Sequence, residues 1–163
     1  MTVTLHHAET EADYNRLEAL ARDIWTEHYG PLLGMAQVDY MLDKFQSATA
    51  MQESGYTYLV ALADGVPAGY CAYGADDNGL FISKLYVRRE NRRQHVGKVL
   101  LDACLAFGAA AGAQTAWLTV NKYNTASIAV YEKLGFAVTA DVVADIGGGY
   151  IMDDYKMERA ISL

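Results

Sequence analysis

Two groups of residues carry types and spacings that could do chemistry. The first is Arg92-Arg93-Gln94-His95-Val96-Gly97-Lys98, which follows the apolar Leu85-Tyr86-Val87 and opens onto a helix-periodic stretch. A strand that passes through a polar turn into a helix presents several backbone N–H groups at the positive end of a helix dipole, the geometry that holds a pyrophosphate. Gly97 permits close approach to the backbone, and Arg92, Arg93 or Lys98 adds cationic attraction at the rim. The second group is Asn124 and Tyr131, seven residues apart and so on one helix face. Tyrosine is among the side chains that serve as general acids. Each group also has a plainer reading: a solvated basic loop, a helix-capping asparagine, a tyrosine in the core.

The elements that must position these residues follow from hydrophobic period. Thr2 to His6 alternates weakly, as a short strand does. Leu17, Leu20, Ala21, Ile24, Trp25 and His28 keep the spacing of an amphipathic helix until Pro31 and Gly34 interrupt it. Val38, Met41, Leu42 and Phe45 share a face of a second helix over Gln37 to Glu53, closed by Gly55. Tyr56 to Ala63, Val66 to Ala75 and Gly79 to Val87 read as strands, the first two joined by the hairpin signal Asp64-Gly65. A helix from Val96 to a cap at Gly112, a strand at Thr115 to Val120, and a helix from Asn124 to Leu134 closed by Gly135 come next. Phe136 to Val143 and Tyr150 to Glu158 pair around Gly147-Gly148-Gly149.

Composition sets the outer bounds. A chain of 163 residues with 52% apolar and 20% charged residues is one soluble domain, residues 1–163, with enough surface to bury a core. There is no apolar run of roughly 18 residues to span a bilayer, and the N-terminus lacks the pattern of a secretory signal, so a cytoplasmic location without membrane association is expected. Cys71 and Cys104 sit in apolar patterns and read as reduced core residues, and the four histidines show no paired-ligand spacing, so no metal is expected. The net charge of −7 opposes general nucleic-acid binding and is compatible with a cationic substrate.

The order of elements resembles that of the GNAT superfamily of N-acetyltransferases. Its cofactor signature, Gln/Arg-x-x-Gly-x-Gly/Ala, is matched by Arg92 to Gly97 except that His95 stands at the first glycine; there the loop either adjusts its dihedrals or keeps His95 at negative φ. The Asn-x6-Tyr-x3-Gly-Phe run from Asn124 to Phe136 follows in the expected place, and the ordered set is more specific than either motif. The resemblance implies an α/β (α+β) fold: a central mixed, largely antiparallel sheet of about seven strands, splayed between the fourth and fifth, with four helices. It implies acetyl-CoA as acyl donor. The pantetheine would lie along Leu85, Tyr86 and Val87, the pyrophosphate on Arg92, Arg93, Gln94, His95, Val96, Gly97 and Lys98, with Asn124 touching the cofactor. Tyr131 would protonate the thiolate, and no metal takes part.

The acceptor half is less defined. Phe81-Ile82-Ser83-Lys84 offers no carboxylate as general base, so Trp25, Glu27, His28, Tyr29, Asp153 and Asp154 are the substrate-side candidates, each with a plain surface or core alternative. An aromatic and acidic pocket suits an alkylammonium, and the tail Asp145 to Glu158 is similar to that of diamine and polyamine acetyltransferases. The resemblance thus implies transfer of an acetyl group to a primary amine of a small molecule or peptide by direct attack. The other reading is a catalytically silent acyl-CoA-binding sensor or interaction module. Ile151, Met152 and Met157 fit either the core or a homodimer interface.

Overall fold

The computed structural model describes residues 2–161. Its elements run β1 (Val3–His7), α1 (Glu11–Leu33), α2 (Met35–Phe45), α3 (Ala48–Glu53), β2 (Thr57–Ala63), β3 (Val66–Asp76), β4 (Gly79–Val87), a 3₁₀ turn (Arg89–Asn91), α4 (Val96–Ala110), β5 (Thr115–Asn121), α5 (Thr125–Lys133), β6 (Ala137–Gly147) and β7 (Tyr150–Ala160). The strands form one mixed sheet in the order β1-β2-β3-β4-β5-β7-β6. Packing divides the chain into two compact units, one holding residues up to Gly74 with Ser83–Cys104, the other Ala75–Ile82 with residues from Leu105 onward.

In the first unit β1, β2 and β3 pair antiparallel, with a bulge at Ala61/Leu62. The predicted hairpin turn is present: Asp64 and Gly65 both take positive φ, 49° and 83°, the twist that matches paired strands. Helix α1 starts at a capping box. The Thr10 side chain accepts from Asp13 N–H at 3.1 Å, and the Asp13 carboxylate accepts from the N–H groups of Thr10 at 3.1 Å and Glu9 at 2.9 Å. Leu17, Leu20, Ala21, Ile24 and Trp25 are buried, as their period predicts.

Two helix boundaries differ from the sequence expectation, and five helices replace four. Helix α1 continues through Pro31 to Leu33 before Gly34 ends it at φ 82°. A proline this close to the end removes one N–H from the final turn and leaves the helix before it intact. The segment expected as one helix over Gln37 to Glu53 breaks after Phe45, because Ser47 caps a new helix by accepting from Ala50 N–H at 3.1 Å. Among the described residues no helix is long and apolar enough to cross a membrane.

In the second unit the β4–β5 ladder is parallel and two residues long, Leu80 with Ala116 and Phe81 with Trp117. Strand β5 pairs antiparallel with β7, and β7 with β6. Leu80, Ala116, Leu118 and Met157 are fully or nearly buried and form the core of this unit. Gly79 (φ 112°) cannot be replaced cheaply, since an added Cβ would stand 2.4 Å from the Thr115 carbonyl oxygen.

Candidate active site

The polar loop lies in the first unit, fixed at its start and at its end. Where β4 stops, the Arg88 N–H donates to the Ala68 carbonyl at 2.7 Å and its guanidinium to the Pro67 carbonyl at 3.0 Å. After the 3₁₀ turn, Arg93 and His95 both take left-handed conformations, φ 65° and 64°. Neither expected form of relief at His95 is taken: the side chain sits in the conformation that a glycine would occupy without strain. The first helical bond of α4 runs from Val99 N–H to the His95 carbonyl at 3.0 Å. Helix geometry therefore leaves the N–H groups of Val96, Gly97 and Lys98 without a carbonyl inside the helix.

Gly97 supplies an observation on fit. A Cβ there would meet only Val87 Cγ2, at an ordinary 3.6 Å. Packing within the protein does not call for glycine at this position; a ligand that must approach the backbone does. Arg92, Arg93, Gln94 and His95 are exposed. The Lys98 ammonium lies along α4 in an ion pair with Asp102 at 2.8 Å, so its charge is shared before any anion arrives.

The substrate-side candidates of α1 belong to the same unit and have unequal freedom. Trp25 is 2% exposed, and its indole N–H donates to the Tyr70 hydroxyl at 2.9 Å, which donates to Gln46 at 2.7 Å. Trp25 is core. Glu27 is held by the Arg89 guanidinium at 2.7 Å. The Tyr29 and Tyr86 hydroxyls meet at 2.9 Å, and Trp25 packs edge-on against both rings at 5.5 Å. The side chain of Tyr86 is thus turned toward α1.

His28 is half-buried, its ring edge-on to Tyr29 at 4.7 Å. Its Nδ1 lies 3.5 Å from the Arg92 guanidinium. Since a guanidinium only donates, Nδ1 accepts and the ring proton sits on Nε2. Burial, then the charges of Arg92 and Arg89, push the imidazole below its ordinary value against the pull of Glu27. His28 is therefore neutral at pH 7.

The second unit holds the remaining predicted residues. Asn124 is 5% exposed and is the N-cap of α5, its side chain accepting from Ser127 N–H at 3.3 Å. Tyr131 is half-buried on that helix, its ring edge-on to Phe136 at 5.8 Å. Asp153 is paired with the Lys122 ammonium at 2.8 Å, which also faces Asp141 at 3.6 Å; the Asp153 bond first, opposed in part by burial, holds the lysine above its ordinary value. Asp154 is 6% exposed and in register with Asn121 on β5.

Sequence reasoning did not find the partners. Arg89 and Glu27, or Arg88 and Asp23 at 3.3 Å, lie too far apart in the chain to give a local signal. The Tyr70–Gln46–Tyr58 connection, with Gln46 donating to the Tyr58 hydroxyl at 3.2 Å, shows in sequence only as unusual tyrosine content. Cys71 and Cys104 are free and buried, yet they are neighbours: a hydrogen bond between the thiols, with burial, pushes the Cys71 thiol well up. A surface cleft of about 580 Å³ in the second unit, lined by Asp76, Asp77, Gly112 and Gln114 among others, includes none of the site residues. Among the described residues no three His, Cys, Asp or Glu side chains converge as a metal site.

A strand, a polar loop with left-handed residues and a helix N-terminus, together with this order of strands, define an acyltransferase-type α/β domain. The family model described as "Acetyltransferase (GNAT) family" matches residues 15–136, and the chain belongs to that family of N-acetyltransferases. It is 29% identical over 125 residues to an uncharacterised N-acetyltransferase of Mycobacterium tuberculosis, covering 76% of this chain and 80% of that protein. Its fold is similar to that of the PaiA N-acetyltransferase of Thermoplasma acidophilum, solved with coenzyme A, at 21% identity and TM-score 0.80 over 98% of this chain and 99% of that one. It is also similar to YncA of Salmonella typhimurium, a putative acetyltransferase solved with acetyl-CoA, at 22% identity and TM-score 0.62 over 100% and 96% of the two chains.

Proposed function

We propose that the protein transfers an acetyl group from acetyl-CoA to a primary amine, by direct attack and without a metal. The observation that carries this is the loop at the start of α4, where a glycine not required by packing adjoins three helix N–H groups and two exposed arginines. That arrangement suits a pyrophosphate. The solved relatives with coenzyme A or acetyl-CoA support the same donor.

The thioester supplies an activated acetyl group; the chain's residues bind, orient and move protons. Leu85 and Val87 would offer backbone hydrogen bonds to the pantetheine, and Asn124 would touch the cofactor in addition to capping α5. Tyr131 would donate its phenolic proton to the departing sulfur. On the acceptor side the acidic candidates have partners already, Glu27 with Arg89 and Asp153 with Lys122. This weakens the case for a polyamine and favours an amine recognised by an aromatic surface and a single ammonium. The whole chain would act as one domain.

The test is thiol release from acetyl-CoA over putrescine, spermidine, phenethylamine and a peptide with an N-terminal alanine. Amine-dependent release with at least one supports the enzyme. Acetyl-CoA binding with no release above the amine-free rate would favour the silent binding module.

A further inference from the structure

Three side chains of the C-terminal half of α1 meet three arginines of the loop between β4 and α4. Asp23 meets Arg88 at 3.3 Å, Glu27 meets Arg89 at 2.7 Å, and His28 meets Arg92 at 3.5 Å. The first two are pairs of opposite charge. The third joins a full cation to a neutral ring, and nothing in that contact balances the guanidinium charge. It is also the one that lies inside the loop proposed to hold the donor's pyrophosphate.

His28 is placed by a second contact as well. Its ring lies against Tyr29, whose hydroxyl meets that of Tyr86 at 2.9 Å. Tyr86 stands between Leu85 and Val87 on β4. One imidazole thus sits between the strand proposed to carry the pantetheine and the loop proposed to carry the phosphates. No other candidate base of the first unit has this position without a counter-charge, since Glu27 is already neutralised by Arg89.

We propose that His28 is the proton acceptor for the amine and that acyl-donor binding switches it on. The inference rests on the acetyltransferase reading above. In the free protein Nδ1 is occupied by Arg92, and the positive field of Arg92 and Arg89 opposes a second positive charge on the ring. A bound pyrophosphate brings negative charge to the loop. It draws on the Arg92 guanidinium, frees the Nδ1 lone pair and cancels the field that disfavours the imidazolium. The charged and titratable groups facing His28 are Arg92 and Arg89 from the loop and Glu27 and Tyr29 from α1. Of these only the two arginines are positioned to answer the donor.

The step balances. The ammonium gives one proton to His28 Nδ1, and the resulting free amine forms a C–N bond to the acetyl carbonyl carbon. The C–S bond breaks with its electron pair on sulfur. The second proton shed by nitrogen accounts for the one that neutralises the thiolate, delivered by way of Tyr131. The imidazolium then releases its proton to water, so one amide, one thiol and one proton leave for each ammonium and thioester consumed. Because His28 gains its competence only with donor bound, acetyl-CoA binds before the amine becomes reactive.

The experiment is an NMR pH titration of the imidazole signals of the full chain with and without CoA, the His28 signal identified by its loss in His28→Asn. Calorimetry confirms CoA binding in the same samples. The expected result is that the His28 titration moves to higher pH when CoA binds. In Arg92→Gln it already sits higher and moves less. His28→Asn, which keeps a side-chain acceptor near Nδ1 but cannot be protonated, should lower kcat about 100-fold or more with the amine that gives release, lose the acidic limb of the kcat profile and keep CoA affinity within a few-fold. CoA binding with an unmoved His28 titration, or His28→Asn with wild-type kcat and pH profile, overturns the inference alone. Absence of CoA binding overturns the acetyltransferase reading and this inference with it.

Discussion

At the scale of single residues the account separates chemistry from strain. Tyr131→Phe keeps the ring packed on Phe136 and removes only the proposed acid. It should reduce kcat by at least tenfold while changing the acetyl-CoA dissociation constant little; unchanged turnover would remove Tyr131 from the mechanism. His95 has the opposite character. A β-carbon at φ 64° costs about 1–2 kcal/mol, whereas glycine there costs about 0.5–1 kcal/mol of extra chain entropy. His95→Gly should therefore stabilise the protein by about 0.5 kcal/mol in a denaturant titration. A loss of stability instead would mean that the imidazole holds the loop by contacts stronger than its strain. The residue types were legible in the sequence because both motifs are local. What each acidic candidate pairs with was not, since Glu27 finds Arg89 and Asp153 finds Lys122 only after folding.

The element scale is where the start of α1 can be tested. Its capping box joins Thr10 to Asp13, and the carboxylate also meets the Arg16 guanidinium at 2.7 Å and His6 at 3.2 Å. Thr10→Ala should destabilise the fold by about 1 kcal/mol, read as a lower denaturation midpoint at an unchanged slope. The N–H groups of Glu9 and Thr10 are the main reasons that the Asp13 carboxyl is held far below its ordinary value, with smaller help from His6 and Arg16 against burial. A depressed carboxylate contributes stability that is complete above its unfolded value, near 3.8, and is lost as pH falls through the lower folded value. His28 also disfavours acid, since its folded value lies below the ordinary 6.5. The unfolded chain takes up that proton first, so stability begins to fall as pH drops below 6.5. Wild type and Asp13→Asn should therefore differ most near neutrality and converge in acid. Strand and helix types were readable from period and turn chemistry, Asp64-Gly65 being the clearest case. The length of α1 and the break at Ser47 were not, because a late proline costs one hydrogen bond and a serine cap depends on backbone geometry that no period encodes.

For the whole molecule the donor is a ligand of the native state alone. At a free CoA concentration about 100 times its dissociation constant, binding should add about 2.7 kcal/mol to unfolding stability, visible as a rise in melting temperature that Gly97→Val removes. A rise that survives Gly97→Val would locate the nucleotide elsewhere. The net charge of −7 left the acceptor undecided, and the structure narrows it through partners: the carboxylates that suggested a polycation are in large part committed to arginine and lysine. The measurement that bears most directly on the central claim is amine-dependent thiol release from acetyl-CoA, followed together with the mass of the acceptor. The account predicts release that requires a primary amine, with one acetyl group gained by that amine for each thiol. Release at the amine-free rate throughout the panel, with acetyl-CoA bound, would contradict it.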